Sequence, residues 1–178
     1  MYPVETERLT LTPLSPEQLQ VSMDDFQQLE SALGLKITDF HLSGPVRRAI
    51  VIKLAKMSSK SKEFAWYTYW LVIQRQENQA IGLIGYKGEP DNFNQVEIGY
   101  GIEPAFRKQG YATEAARGLM EWAFQQHPNV TVIAETDRDN KASQNVLQHL
   151  GFRLYRETAL SLWWKCIQAE FLDSSKGE

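Results

Sequence analysis

VEIGYGI at 96–102, EPAFRKQG at 103–110, YATEAARGLMEWAFQQ at 111–126 and VTVIAET at 130–136 read in turn as strand, loop, helix and strand. Ala112, Ala115, Ala116, Leu119, Met120 and Ala123 recur at i, i+3, i+4, i+7, i+8 and i+11, which is one face of a helix. Pro128 stops that helix. The strand after it has a nearly continuous apolar core, as a central strand buried on both faces requires. A strand–helix–strand unit makes its two strands parallel neighbours joined by a right-handed crossover. Everything else in the chain has to be arranged around that pair.

The flanking segments fit such an arrangement. Leu9 and Leu11 alternate with polar neighbours in a first strand over 7–12, closed by Pro13 and Pro16. Residues 16–33 have helix-like apolar spacing with irregular breaks, and 41–57 read as a second helix beginning near Pro45. SSKSK at 58–62 is a polar loop. WYTYWLVI at 66–73 is predicted as a strand from its aromatic and β-branched content. AIGLIGY at 80–86 is the next strand, and 87–95 is a turn-rich loop between antiparallel neighbours. DRDNKAS opens a helix that runs through Leu150 to a C-capping Gly151. FRLYRE and ALSLWWKCI form a closing hairpin, and the polar tail is expected to fray from about residue 171. The pattern is that of one mixed-sheet α/β (α+β) domain over residues 1–178.

Composition excludes several functions. The formal charge of −3 leaves no general excess of basic residues for nucleic acid or an anionic membrane. A single cysteine, Cys166, rules out an internal disulfide framework and a Cys-rich zinc site. His41, His127 and His149 have no partner at metal-ligand spacing, so no metal is expected. No apolar run approaches the ~18 residues of a membrane span, and MYPVETERLT lacks a secretory pattern. These features predict a soluble, cytoplasmic protein, as monomer or homodimer.

The chemistry is concentrated at Arg107-Lys108-Gln109-Gly110-Tyr111-Ala112, between a strand and the start of a helix. Amides at a helix N-terminus are unpaired, and the helix dipole is positive there. Gly110 admits close backbone approach, Ala112 keeps the first turn small, and Arg107 and Lys108 add charge. The result suits a pyrophosphate. It is neither a Walker A loop nor a three-glycine dinucleotide fingerprint. A plain surface loop ending in glycine, and an ATP-binding turn, are the other readings of the same residues.

VEIGYGIEPAFRKQGYATEA at 96–115, AETDRDNKASQNVLQHLGF at 134–152 and TERLTLTPL at 6–14 resemble the GNAT superfamily of acyl-CoA-dependent N-acetyltransferases. The resemblance is to the branch that holds the ribosomal-protein N-terminal (RimJ/RimL-like) enzymes. It implies a mixed, mostly antiparallel sheet with a central splayed parallel pair and flanking helices. It also implies acetyl-CoA as co-substrate, with its pyrophosphate on the amides of Arg107–Ala112. The pantetheine arm would lie in the gap between strands 96–102 and 130–136, against the backbone of Tyr100, Gly101 and Ile102. Glycines inside a strand mark close backbone approach, so Gly99 and Gly101 serve either that arm or a crowding aromatic neighbour. Asn140 would contact the cofactor or cap a helix. Ser143 would hold or protonate the departing thiolate, or be a polar first-turn residue. The tyrosine that many superfamily members use as general acid is replaced here by Leu147.

Acetyl transfer to an amine needs a group that takes the amine's proton, and a carboxylate is a common choice. Glu97 is the first candidate base and Glu135 the second, each with a plain strand-surface role as its alternative. Trp66, Tyr67, Tyr69 and Trp70 either line an acceptor cleft or divide between cleft and core, and Trp163 and Trp164 carry the same ambiguity. Cys166 is expected in the core. The acceptor side is assigned to residues 15–65 and the 87–95 loop, for a protein N-terminus, polyamine, antibiotic or amino acid. A catalytically silent acyl-CoA-binding sensor or interaction module is the alternative function.

Overall fold

The computed structural model describes residues 3–24, 26–37, 44–57 and 64–174. In chain order these form β1 (Val4–Glu5), β2 (Leu9–Pro13), α1 (Pro16–Asp24), α2 (Phe26–Leu33), β3 (Lys36–Ile37) and α3 (Gly44–Met57). A short 3-10 turn (Phe64–Trp66) leads to β4 (Trp70–Gln74), β5 (Gln79–Tyr86) and β6 (Gln95–Ile102). A second 3-10 turn (Pro104–Phe106) precedes α4 (Tyr111–Gln126), β7 (Thr131–Asp137), α5 (Lys141–His149), β8 (Arg153–Glu157), β9 (Ser161–Ile167) and α6 (Gln168–Ser174). The strands join in the order β1-β2-β4-β5-β6-β7-β9-β8, with β3 beside β5. β6 and β7 are parallel, as is the two-residue β3 to β5, and every other pairing is antiparallel. The sheet is therefore mixed and mostly antiparallel around a central parallel pair, as the strand–helix–strand reading requires. Among the described residues no helix is long and apolar enough to cross a membrane.

The two faces of the sheet do different things. Tyr86 pairs with Ile98 and its hydroxyl donates to the Leu119 carbonyl at 3.0 Å, so this face of β5 and β6 packs on α4. Ala115, Leu119 and Ala123 on α4 are fully buried there. Trp122 stacks with Trp66, Trp70 and Tyr86 at centroid separations of 4.5, 5.1 and 6.3 Å. The opposite face of β5 and β6 carries Leu83, Gly85, Gly99 and Gly101 and is overhung by α3. Gly82 is where the strands demand glycine. A Cβ there would stand 2.4 Å from the Gly101 carbonyl oxygen and 2.7 Å from Ile102 Cδ1. Gly82→Val is accordingly expected to cost about 3 kcal/mol through overpacking, read as a lower urea midpoint with little change in m.

Two sequence expectations need correction. Residues 66–73 are not one strand, because the amides of Tyr67 and Thr68 both donate to the Phe64 carbonyl and β4 starts only at Trp70. Aromatic residues report a half-buried surface rather than an extended backbone, and Trp66 finds its burial by stacking. The helix-like spacing over 16–33 falls on α1 and α2, which flank residue 25, a position outside the described residues. The tail expected to fray from about 171 is helical through Ser174, because Phe171 is buried against Phe124 with centroids 5.4 Å apart. β1 and β3, of two residues each, carry no sequence signal of their own. The helix start expected at 41–43 and the loop at 58–62 lie outside the described residues, as does 175–178.

Candidate active site

The parallel ladder between β6 and β7 is short. It runs through Gln95↔Thr131 and Val96↔Val132 and ends at Glu97↔Ile133. Beyond that point β6 continues to pair with β5, and β7 with β9, so the two central strands part as a wedge. The Lys87 amide donates to the Glu97 carbonyl, and the Glu103 amide to the Ile81 carbonyl. Backbone groups of odd-numbered residues on β6 thus point to β5. By alternation those of Tyr100 and Ile102 point into the wedge. Gly99 and Gly101 border the same opening, and among the described residues a Cβ built on either meets no atom within 4 Å. No described aromatic crowds them, so open space is what these two glycines preserve.

The turn at the wide end of the wedge is built to expose its amides. Lys108 adopts φ +61 and Gly110 φ +82, both left-handed, and Gly110 caps α4 without any side-chain hydrogen bond. Arg107, Lys108, Gln109 and Gly110 are exposed, Tyr111 is buried and Ala112 is half-buried. Arg107 Nε donates to the Ile102 carbonyl at 2.8 Å and joins the turn to the end of β6. An anion is well served at such an uncapped, positively flanked helix start.

Arg8 holds this turn from behind. Its Nη1 donates to the Gln109 carbonyl at 3.0 Å, and its guanidinium lies 4.5 Å from the Tyr111 ring centroid. Arg8 Nε donates to Glu114 at 2.7 Å, as do the Arg8 amide and the Thr6 hydroxyl. Burial alone would raise the Glu114 pKa, but the Thr6 and Arg8 hydrogen bonds and the Arg8 charge outweigh it and hold the carboxyl below its ordinary value. The tie is therefore whole above the usual carboxylate range and lost as pH falls through the lowered pKa.

At the narrow end, Glu97, Ile133 and Glu135 share the face of Gly99 and Gly101. Glu97 is largely buried and ion-paired with Lys87 at 2.5 Å. Glu135 is exposed two residues past the last parallel pair, across from the half-buried Trp163. Asn140 caps α5, accepting from the Ser143 amide at 3.1 Å. Tyr100 reaches across the wedge, and its hydroxyl donates to the Ser143 carbonyl at 3.3 Å. Burial pushes the Tyr100 phenol well up, so it stays protonated. Leu147, which stands where the resemblance would have a tyrosine, is 1% exposed and belongs to the core.

Two clefts open on the glycine face. The larger, of about 620 Å³, lies between α3 and β5–β6 and reaches Arg107. The smaller, of about 390 Å³, contains Glu97, Ile133 and the hairpin residues Gly88, Glu89 and Asp91. Of the segments expected to build an acceptor side, α3 and the hairpin loop line these clefts among the described residues. The aromatic run divides: Tyr69 and Tyr67 line the larger and smaller cleft, while Trp66 and Trp70 are core. Trp164 is buried with its Nε1 donating to Thr136, and Cys166 is core, its thiol pushed up to about 12, chiefly by burial. His149 sits at a helix end with Nδ1 2.7 Å from the Asn145 carbonyl, and His127 lies 5.6 Å from the Trp66 ring. His41 is outside the described residues.

Sequence reasoning missed Arg8, Glu114 and Lys53. Lys53 sits in the apolar run IVIKL of α3, and that setting was its one sequence signal. Its ammonium donates to the Thr68 carbonyl at 3.2 Å and to the Tyr86 carbonyl, at the edge of the larger cleft.

Comparison with known proteins bears on this geometry. An uncharacterized N-acetyltransferase of Bacillus subtilis, YjdG, is 28% identical over 170 residues, covering 92% of this chain and 97% of that one. The solved ribosomal-protein-S5-alanine acetyltransferase of Vibrio fischeri superposes with a TM-score of 0.67 at 18% identity, covering 96% and 99% of the two chains. The ribosomal L7/L12 alpha-N-protein acetyltransferase RimL, solved with coenzyme A, gives 0.66 at 14% identity, covering 93% and 97%. Both are likenesses of fold. The acetyltransferase (GNAT) domain family matches residues 8–153. That span, from Arg8 to Arg153, takes in every element that forms the wedge and the turn, and on that ground the chain belongs to the GNAT acetyltransferases.

Proposed function

We propose that the protein transfers an acetyl group from acetyl-CoA to a primary amine by direct attack on the thioester. The observation that carries this reading is the wedge: its open glycine face runs from an uncapped helix start to two carboxylates. The amides of Lys108–Ala112, with the Arg107 and Lys108 charges, suit the donor's pyrophosphate, while the Arg107 amide is taken by the Pro104 carbonyl at 3.3 Å. The wedge-facing backbone of Tyr100 and Ile102, with Gly101 beside it, suits its pantetheine arm. Asn140, already a cap through its oxygen, has an amide nitrogen left for the same ligand.

Acetyl-CoA supplies an activated acyl carbon and a thiolate leaving group. The amine nitrogen forms the new C–N bond as the C–S bond breaks, so one proton leaves the nitrogen and one reaches the sulfur. Glu97 takes the first proton, directly or through water, and Glu135 on the same face is the second choice. Tyr100 N–H is the candidate donor to the developing oxyanion. The Ser143 hydroxyl supplies or steadies the proton at sulfur, beside the protonated Tyr100 phenol.

The test is CoA release from the full chain with acetyl-CoA and a panel of amines, beside a co-structure with CoA. Release above the amine-free rate is expected, with CoA density on the Gly110 turn. Tight CoA binding without release would leave an acyl-CoA-binding module, and stabilisation by ATP but not CoA would overturn the assignment. Arg8→Met is expected to raise the acetyl-CoA KM about tenfold with kcat little changed, since it removes charged hydrogen bonds that shape the turn. Ser143→Ala is expected to lower kcat about tenfold at unchanged KM. An unaltered kcat would leave Ser143 a helix residue.

A further inference from the structure

The larger cleft has a charged wall that acetyl transfer by itself does not require. Lys53 is 6% exposed. Its ammonium is held by the Thr68 and Tyr86 carbonyls and lies 4.6 Å from the Tyr69 ring centroid. Among the described residues no carboxylate pairs with it. Lys56 and Lys87 stand near enough to repel the same charge, and Lys56 Nζ donates to the Lys87 carbonyl at 3.2 Å. A buried cation without a counter-ion is costly, and neighbouring cations add to the cost. Burial first, then Lys56 and Lys87, push the Lys53 amine down to about 7. An anion entering the cleft would relieve both effects.

The smaller cleft has the opposite character. It contains Glu89, Asp91 and Glu97. Lys56 and Lys87 line both clefts, and the Lys87–Glu97 ion pair lies at their boundary. The larger cleft also has Arg107 and one carboxylate, Glu103, so among the described residues a mainly cationic wall adjoins one with three carboxylates along the face that the wedge opens onto.

We propose that the acceptor is a small amino-carboxylate, its carboxylate against Lys53 and Lys56 and its amine toward Glu97. A polyamine would meet the repulsion of Lys53, and an amine without a carboxylate would leave that lysine's charge uncompensated. The proposal rests on reading these clefts as the acceptor side of an acetyltransferase.

The experiment measures kcat/KM for CoA release across the twenty amino acids, β-alanine, the matching amino-acid amides, spermidine and an alanyl-terminated hexapeptide. In parallel, calorimetry follows binding of the same amino acids to the CoA complex. At least one amino acid is expected to exceed its own amide by about tenfold or more, the size of one charged hydrogen bond. Lys53→Met should erase that ratio while the acetyl-CoA KM holds. Removing an unpaired buried charge is not expected to unfold the protein, and the acid-to-amide ratio of the unaltered chain decides independently of the variant. Amides, spermidine or the peptide used as well as the acids would overturn the carboxylate while leaving acetyl transfer intact. Amino-acid binding that Lys53→Met abolishes, without turnover of any amine, would support the carboxylate site and remove the acetyltransferase reading. The absence of both turnover and amino-acid binding would overturn the proposal.

Discussion

Valine at Gly101 is expected to cut turnover by about a hundredfold or more while the fold stays as stable as before. Both halves follow from one feature: a Cβ at this position meets no described atom within 4 Å. No described atom crowds the added Cβ, and a β-branched residue suits an extended strand, so the melting temperature should hold or rise slightly. The new methyls would fill the opening that the pantetheine arm and the acceptor are proposed to share. Displacing reacting atoms by about 1 Å already costs on the order of a hundredfold. Gly82, which pairs with Ile102 beside it, is the control: valine there should lower the melting temperature by striking the Gly101 carbonyl. Comparing kinetics with thermal melts of the two variants checks the argument. A Gly101→Val enzyme of normal kcat/KM would show that the wedge is not the path of the reaction.

Glu97→Gln is expected to lower kcat by about a hundredfold or more, the lower end of what a positioned acid–base group contributes. Glutamine keeps the size and much of the hydrogen bonding, so the loss isolates the carboxylate's ability to take a proton. The Lys87 ammonium, left without its partner, is 64% exposed and readily solvated, so stability should change little. Steady-state kinetics at saturating acetyl-CoA across pH make the measurement. Glu135→Gln should have the smaller effect, because its side chain is exposed past the end of the parallel ladder. A Glu97→Gln enzyme with unaltered kcat, beside an impaired Glu135→Gln, would exchange the two roles.

The elements that make the wedge were legible because their signals are local. The alanine-rich stripe of α4, the apolar run of β7 and the glycines of β6 each lie within one window of sequence, and the structure keeps their boundaries nearly to the residue. What escaped depends on distant partners. Lys53 reads as one more solvated lysine until Thr68 and Tyr86, 15 and 33 positions on, close over it. The aromatic run at 66–69 owes its turn to tertiary stacking, which strand propensity cannot anticipate. α6 is short and polar, and Phe171 in contact with Phe124 is what anchors it.

The link from Arg8 to Glu114 bridges 106 positions of sequence and binds a sheet margin to the turn where the donor is proposed to sit. The two cannot loosen separately. Fraying of the amino-terminal strands would free Glu114 and the Gln109 carbonyl at the same moment, so affinity for the donor becomes a gauge of how well the far rim of the sheet is fastened. Substitutions at residues 4–8, remote from any reacting atom, would then pass for defects in recognition when their true origin is mechanical.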